Sequence, residues 1–547
     1  MNKKQQCCYC NKNYFNHNKI NSNNCDKLTS NFPVDPIKDF AQRLLDTQYL
    51  FNENEDKNKR KYSLISNEIY DNDVDEDISG NNETSSKLME LFNETKIYKS
   101  FGFNVQEFEY PSVLLSTPDY SSPNTIHAWS DRYFRWELIS SGVGRLPLNT
   151  TMDNELKQQL EDDPRIHLWW NAYSLNGTAL SNLVYANYGT NDDFELLKKS
   201  NISISGKIVL IRYGGIFRGD KVFNAEKRGA VGSQRGTLYR GIGDPETPLL
   251  PSLDYVHRVF TEKQLRLTGI LPNIPVTCIG YHDAQRIFER MDGEPAIWSR
   301  WSGALPVTYR LTGNNLFRMD VKTKNVHRPI KNFIAKIEGS EEPDKWVLLG
   351  NHADAWSKGS IDPGTGTSIM LEMARVLSVY SKETGWRPRR TIIFCQWDAE
   401  EFGLIGIKHP SESEINNGRY TLFDSWRFHN TRSSLNGDRS LPFIQLPHSG
   451  SDFQSFISLA GIPVVDIRME NVPYSFMLYH TAYEIPWLNE NFLDTKGLTS
   501  VALGQFWLEI VKQLADNILI PFNIEDYCLA LYEFLARANA QMKLVFE

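Results

Sequence analysis

The sequence predicts an α/β protein built on a mixed, largely parallel sheet flanked by helices. Two strand-like runs and the loops behind them carry this expectation. Thr391 to Cys395 is a short, mostly apolar run that reads as a buried strand. It empties into Asp398, Glu400 and Glu401, with Gly403 and Gly406 just beyond. Upstream, Trp346-Val-Leu-Leu-Gly350 reads as a second buried strand, leading into Asn351-His-Ala-Asp-Ala-Trp356 and then Gly359-Ser-Ile-Asp-Pro-Gly364. A helical segment follows from about Thr367 to Tyr380, with Ile369, Met370, Met373, Val376, Leu377 and Val379 on one face.

The remaining segments follow in chain order. Residues 1–85 are rich in Asn, Asp and Lys, and Asp71-Asn-Asp-Val-Asp-Glu-Asp77 is a solvated acidic run, so this head is expected to be disordered. Residues 86–122 show a helix-then-strand pattern with Ser100-Phe-Gly-Phe-Asn104 as the turn. From 494 the pattern is helical, as in Leu503, Phe506, Trp507, Ile510 and Val511.

A chain of 547 residues is long enough for two to four domains, and 41% hydrophobic with 12% aromatic residues describes a globular protein. A net charge of −8 argues against a nucleic-acid or membrane-surface footprint. The seven cysteines form no framework: Cys7, Cys8, Cys10 and Cys25 cluster in the head, while Cys278, Cys395 and Cys528 are isolated. The irregular spacing of the head cluster fits an unstructured or acylated tail better than a zinc site. No run approaches the roughly 18 apolar residues needed to span a bilayer, and no signal peptide opens the chain. Five Asn-x-Ser/Thr sequons, at Asn82, Asn93, Asn149, Asn176 and Asn201, favour an extracellular or luminal, glycosylated face, although an Asn-rich chain also produces them by chance.

The two acidic loops carry the chemistry. Ligands gather outside the carboxyl ends of the strands in open α/β sheets. Adjacent acids at such a place repel and desolvate badly unless a cation or a reacting proton lies between them. The Glu-Glu pair alone also reads as a solvated acidic loop. His352 and Asp362 share the other loop, and imidazole and carboxylate are zinc ligands. The two oxygens of Asp362 suit it to bridge two metals. Asp354 is placed to accept the imidazole N–H. A third piece, Phe476-Met-Leu-Tyr-His480-Thr-Ala-Tyr-Glu484, offers a histidine that alone reads as a packed core residue and gains weight from the other two loops.

Gly-Asn-His-Ala-Asp-Ala-Trp, Gly-Ser-Ile-Asp-Pro-Gly-Thr-Gly, Trp-Arg-Pro-Arg-Arg-Thr-Ile-Ile-Phe, Trp-Asp-Ala-Glu-Glu-Phe-Gly-Leu-Ile-Gly and Leu-Tyr-His-Thr-Ala-Tyr-Glu closely resemble glutamate carboxypeptidase II and its relatives. These are co-catalytic di-zinc exopeptidases, grouped with the non-enzymatic transferrin receptors. The resemblance spans roughly residues 86–540 with gaps. It implies a zinc exopeptidase fold in two parts, 86–122 and 329–493, an inserted protease-associated (apical) β-rich domain over 123–328, and a truncated helical dimerisation domain over 494–547. It also implies a peptide substrate, a homodimer and a type II membrane setting. By the same resemblance His352 binds the first zinc, Asp362 bridges both, and Glu401 and His480 bind the second. Glu400 is then the general acid/base. Two zincs acting on one water lower its pKa toward neutrality, and an unligated carboxylate beside them moves the proton.

The sequence departs from the family in two places. The family carries a second zinc-binding Asp beyond the Glu-Glu motif, but here only sixteen residues separate Gly406 from Phe423-Asp-Ser-Trp426. A second jump follows Gly229-Ala-Val-Gly232. The gaps remove the segments that form the family's structural calcium site, and they fit skipped exons or a faulty gene model. The first zinc site is therefore expected to be impaired. Relatives selective for a C-terminal glutamate use an arginine, an asparagine and a lysine–tyrosine pair; the matching positions here are Thr190, Ser451 next to Gly450, and Glu533-Phe534. Arg468 keeps part of a basic patch, and Tyr479 is placed to donate to the tetrahedral oxyanion. These replacements imply weak selectivity for C-terminal glutamate. Two outcomes stay open: a zinc exopeptidase acting on short peptides, or a catalytically inactive, receptor-like relative that acts by binding.

Overall fold

A computed structural model describes residues 95–144, 154–229, 236–402 except 249, 453–468 and 478–522, with scattered positions from 528 onward. By internal contacts the chain separates into Met1–Asn81 and Asn82–Glu547, and every described residue belongs to the second unit. The expected disordered head lies outside the described residues.

A helix over 95–100 (α1) turns at 101–103 into strand β1 (Asn104–Pro118), within two residues of the predicted turn. The chain then builds a separate sheet from β2 (Thr125–Ser130), β3 (Arg135–Ser140), β4 (Gly177–Tyr185), β5 (Ile208–Leu210) and β6 (Thr312–Val321). Helices α2 (Asn191–Lys199) and α3 (Arg218–Glu226) accompany it. Strand β7 (Thr323–Ile337) leads back to β8 (Glu342–His352), helix α4 (Gly364–Thr384), β9 (Arg390–Trp397) and, later, helix α5 (Leu498–Asp516).

The first sheet runs β1-β7-β9-β8 and the second β3-β2-β6-β4-β5. One residue, Lys322, separates β6 from β7, so the two sheets are joined by strands that pass directly from one to the other. Asn124 pins this passage: its side chain accepts the Lys322 N–H at 2.6 Å and donates to the Trp169 carbonyl and the Thr277 hydroxyl.

The expected largely parallel sheet is corrected by the pairings. In the first sheet, among the described residues, β1–β7 and β7–β9 are antiparallel and β8–β9 is the parallel pair. A parallel neighbour needs a long crossover, and α4 supplies one between β8 and β9. The strands leading to and from the other sheet have no such connection.

Strand β9 is buried from Arg390 through Gln396, as a central strand should be. The other predicted buried strand differs. Trp346 is 64% exposed and Leu348 41%, because β8 stands at the end of the sheet order among the described residues. The predicted helix is longer than its apolar face, beginning at Gly364 and ending at a left-handed Gly385. Ile369, Met370, Met373 and Leu377 of α4 pack with Phe333 and Leu349 of the sheet and Leu503 and Val511 of α5. Arg390 at the start of β9 donates to the carbonyls of Leu514 and Asn517, satisfying the end of α5 and fixing it to the sheet. A second core gathers around Phe317 and Tyr185 of the other sheet and Trp301 of a 3-10 turn, Ser299–Trp301.

Candidate metal centre

Three chain segments deliver the candidate ligands to the carboxyl ends of β8 and β9. His352 is the last residue of β8 and is fully buried. Asp362 lies in the loop before α4. Gly359 shapes that loop with φ +63°, where a Cβ would meet the Ala355 Cβ at 2.6 Å. Glu400 and Glu401 sit on a single 3-10 turn, Glu400–Phe402, just past β9. The turn is anchored by Ala399 and Phe402, which belong to a core with Trp170 and Tyr173, and by the Thr237 hydroxyl, which donates to the Phe402 carbonyl at 2.8 Å. His480 ends a turn over 478–480. Ala399 and His480 both adopt left-handed φ angles, +63° and +59°, which non-glycine residues take only when their surroundings impose it.

The donor atoms converge. Ligand atoms of Asp362, Glu401 and His480 lie within 4.8 Å of one another, and all three residues are buried. His480 Nε2 is 3.0 Å from Glu401 Oε2 and 3.6 Å from Asp362 Oδ2. The other Asp362 oxygen, Oδ1, is 3.0 Å from His352 Nε2. Asp362 thus turns one oxygen to each imidazole, as a carboxylate bridging two metals must. With zinc bonds of about 2.0–2.2 Å, neighbouring tetrahedral ligand atoms stand about 3.3 Å apart, close to these separations. The hydrogen bonding agrees. Glu401 Oε1 and His480 Nε2 are buried and make no hydrogen bond of acceptable geometry, although buried polar groups nearly always find a partner. The residues fit a divalent metal of zinc's ligand preference.

The electrostatics favour positive charge here. Burial works against the Asp362 carboxylate, but its contacts with His352 and His480 hold its pKa well below the ordinary carboxylate range. Burial also works against a charged His352, yet the Glu400 charge and the bonds to Asp354 and Asp362 raise its pKa well above the usual histidine value. His352 Nδ1 is 2.9 Å from the Asp354 backbone carbonyl and 3.4 Å from the Asp354 carboxylate. The Asp354 carboxylate itself accepts the backbone N–H groups of Glu400 and Glu401, at 2.8 and 3.2 Å. Asp354 therefore ties the two acidic loops together rather than only orienting an imidazole.

Tyr479 stacks on His480 with ring centroids 3.5 Å apart. Arg218, at the start of α3, places its guanidinium 3.4 Å from the Tyr479 hydroxyl and 3.4 Å from His480 Nδ1. Sequence reasoning did not single out Arg218. No local pattern marks it: in Phe217-Arg-Gly-Asp-Lys-Val222 the arginine is one of three charged residues. Thr190 caps α2, accepting the Asp193 N–H at 3.1 Å and donating to the Asp193 carboxylate. Arg468 is exposed in an irregular stretch. Gly450, Ser451 and Glu533, and the segment after Gly406, lie outside the described residues.

A buried imidazole–carboxylate centre at the strand ends of an α/β sheet defines the chain as one built to hold a divalent metal, and sequence comparison narrows the reading. Residues 332–438 match the profile of peptidase family M28. A glutamate carboxypeptidase 2 homolog of Caenorhabditis elegans is 33% identical over 76% of this chain and 64% of its own length. The aminopeptidase NAALADL1 of Rattus norvegicus is 29% identical over 80% of this chain and 69% of its own. The solved aminopeptidase of Aneurinibacillus sp. strain AM-1 overlaps with a TM-score of 0.40 at 18% identity, covering 80% of this chain and 91% of that one, an overlap too loose to define a common fold. The family profile and these relatives place the similarity of the chain in the glutamate carboxypeptidase II-like group of peptidase family M28. It spans just under two thirds of the length of the nematode relative.

Proposed function

We propose that this protein is a zinc-dependent exopeptidase that removes a residue from the carboxyl end of short peptides. The observation that carries the proposal is the Arg218 guanidinium within 3.4 Å of His480 and Tyr479, beside the Asp362–Glu401–His480 cluster. Relatives carry both carboxypeptidase and aminopeptidase names, so family alone does not choose the end attacked. A guanidinium at the site suits a free carboxylate and gives nothing to a free amine.

Asp362, Glu401 and His480 would hold zinc, and His352 with the second oxygen of Asp362 would begin a further site. Zinc when bound supplies Lewis acidity to a water and to the scissile carbonyl. Arg218 holds the substrate carboxylate. Glu400 takes the proton of the attacking water as its oxygen bonds to the carbonyl carbon, then gives that proton to the leaving nitrogen as the C–N bond breaks. Tyr479, its pKa raised well above the ordinary phenol value by burial, keeps its proton and donates to the carbonyl oxygen as charge develops there. Weak selectivity for C-terminal glutamate is part of this reading and rests on Ser451 and Glu533. Homodimerisation and an extracellular or luminal setting rest on family resemblance. No helix among the described residues is long and apolar enough to cross a membrane, and the Asn176 and Asn201 sequon side chains are exposed.

A second reading, a receptor-like chain without turnover, draws on one observation. Among the described residues only Asp362, Glu401 and His480 form a group of three candidate ligands. The deciding assay compares a dipeptide bearing a free carboxyl terminus with its C-terminal amide. The carboxypeptidase reading expects zinc-dependent cleavage of the free acid and at least about a hundredfold loss on amidation. Equal cleavage of both would assign the enzyme to the amino end, and cleavage of neither would favour the binding role.

A further inference from the structure

The last motif residue, Glu484, is absorbed by neither ligation nor proton transfer, yet it is 2% exposed and lies among the ligands. Its two carboxylate oxygens have separate tasks. Oε1 accepts the backbone N–H of Asp362 at 2.9 Å, and Oε2 accepts the backbone N–H of His480 at 3.1 Å. Both donors are backbones of candidate metal ligands, and they come from loops 118 residues apart in the chain. The arrangement parallels Asp354, whose two oxygens accept the N–H groups of Glu400 and Glu401. In both cases the clamped backbone includes or adjoins a residue forced into the left-handed region, His480 in one and Ala399 in the other. The same two loops are stitched further by the Ser360 N–H to the Glu484 carbonyl at 3.3 Å and the Ser357 hydroxyl to the Thr481 carbonyl at 3.0 Å.

We infer that Glu484 is a positioning residue for the metal centre, a two-oxygen clamp that fixes the separation of Asp362 and His480 and holds His480 in its left-handed backbone. The physical case is one of acceptors. Each backbone N–H is buried and needs one, and a carboxylate is the side chain that offers two oxygens at once without a proton to place between them. Its reach sets the gap between two ligands, and a metal tolerates little error in that gap. Glu484 thus acts on the metal through the ligands it holds and does not touch it.

This inference rests on the metal-site reading, and the experiment separates the two. Zinc affinity of the full chain would be measured by chelator competition for wild type, Glu484→Gln and Glu484→Asp, with near-ultraviolet circular dichroism of the zinc-free proteins as the fold control. The glutamine keeps the volume but turns an NH₂ donor against a backbone donor, so zinc affinity should fall by about 10- to 100-fold, the usual cost of losing a group that orients metal ligands. Glu484→Asp keeps both acceptors on a shorter arm and should recover part of that loss. The visible bands of the cobalt(II)-loaded proteins should shift in the same order, since they follow ligand geometry. Glutamine binding zinc within twofold of wild type would overturn the clamp, as would aspartate recovering nothing. If the glutamine variant does not fold, wild-type affinity in Glu484→Asp would overturn it, because a shortened clamp cannot leave the gap unchanged. Wild type that takes up no zinc would overturn the metal reading itself, and the clamp with it.

Discussion

Glu400 and Glu401 are adjacent, both buried, and given different tasks by their surroundings. Glu401 turns toward His480, while the charge of Glu400 is felt at His352. Glu400→Gln should therefore abolish turnover, a loss of about 10²–10⁴-fold for a positioned base, with zinc content unchanged. Glu401→Gln should lower zinc content. Activity and metal analysis on both variants would refute the assignment if the pattern were reversed. Away from the site, Lys221 is buried with its ammonium on the Tyr188 and Gly214 carbonyls, and burial pulls its pKa down to about 8. The folded state loses this proton before the unfolded chain does, so the unfolded chain binds more protons above pH 8. The contribution of Lys221 to stability should rise with pH from about 8 toward the unfolded lysine value of roughly 10.4 and disappear below that window. Denaturant titrations at pH 7.5 and 9.5 should show wild type gaining on Lys221→Met; equal shifts would count against it. The acidic loops stood out in sequence because acids just beyond apolar strands are costly to bury unless a cation offsets them, and the family resemblance is what gave each candidate ligand its role. Arg218 and Glu484 did not stand out. An arginine beside a distant sheet and a carboxylate that serves only backbone N–H groups carry no local spacing signal.

Each loop of the centre hangs from a different element, and the ligand count follows from which elements contribute. The loop before α4, the turn after β9 and the turn at 478–480 give three ligands to one position, while the end of β8 gives only His352 to the other. Catalytic zinc ordinarily has three protein ligands. The purified chain should therefore hold one zinc tightly and a second weakly. Metal analysis after dialysis that found two firmly bound zincs per chain would show that a residue beyond Gly406 supplies the missing ligand. Elements were legible where one face decides them. α4 and α5 were visible in their apolar spacing, and β9 in its unbroken apolar run. The exposure of Trp346 was not, because apolar content alone does not tell a central strand from one at the end of the order.

The whole molecule places its chemistry between two separately packed sheets. The second sheet takes its strands from between Thr125 and Val321, within the stretch 123–328 that the family resemblance marks as an insertion. The strand directions were not legible, since pairing sense depends on connections rather than on composition. Specificity belongs to this scale, because the groups that would read the substrate side chain come from segments far apart. If Glu533 and Ser451 stand where the family has its anion-binding groups, as proposed, a dipeptide ending in leucine should be cleaved with at least about tenfold higher kcat/KM than one ending in glutamate. Even a fraction of the roughly 2–5 kcal/mol of a buried charge contact suffices for that. The comparison belongs on protein in which the two proposed gaps, after Gly232 and after Gly406, are filled, and equal rates would remove Glu533 from the pocket.

The direct passage of β6 into β7 through Lys322 has a consequence for cooperativity. Arg218 stands with the sheet at one end of that passage, and Asp362, Glu401 and His480 with the sheet at the other. A peptide gripped at its carboxylate by one and at its scissile bond by the other would add a further link between two parts already joined by the strands and by the packing of Ala399 and Phe402 against Trp170 and Tyr173. Its binding energy would then be shared by both parts, so that both gain stability while the peptide is in place and lose that gain when its fragments leave.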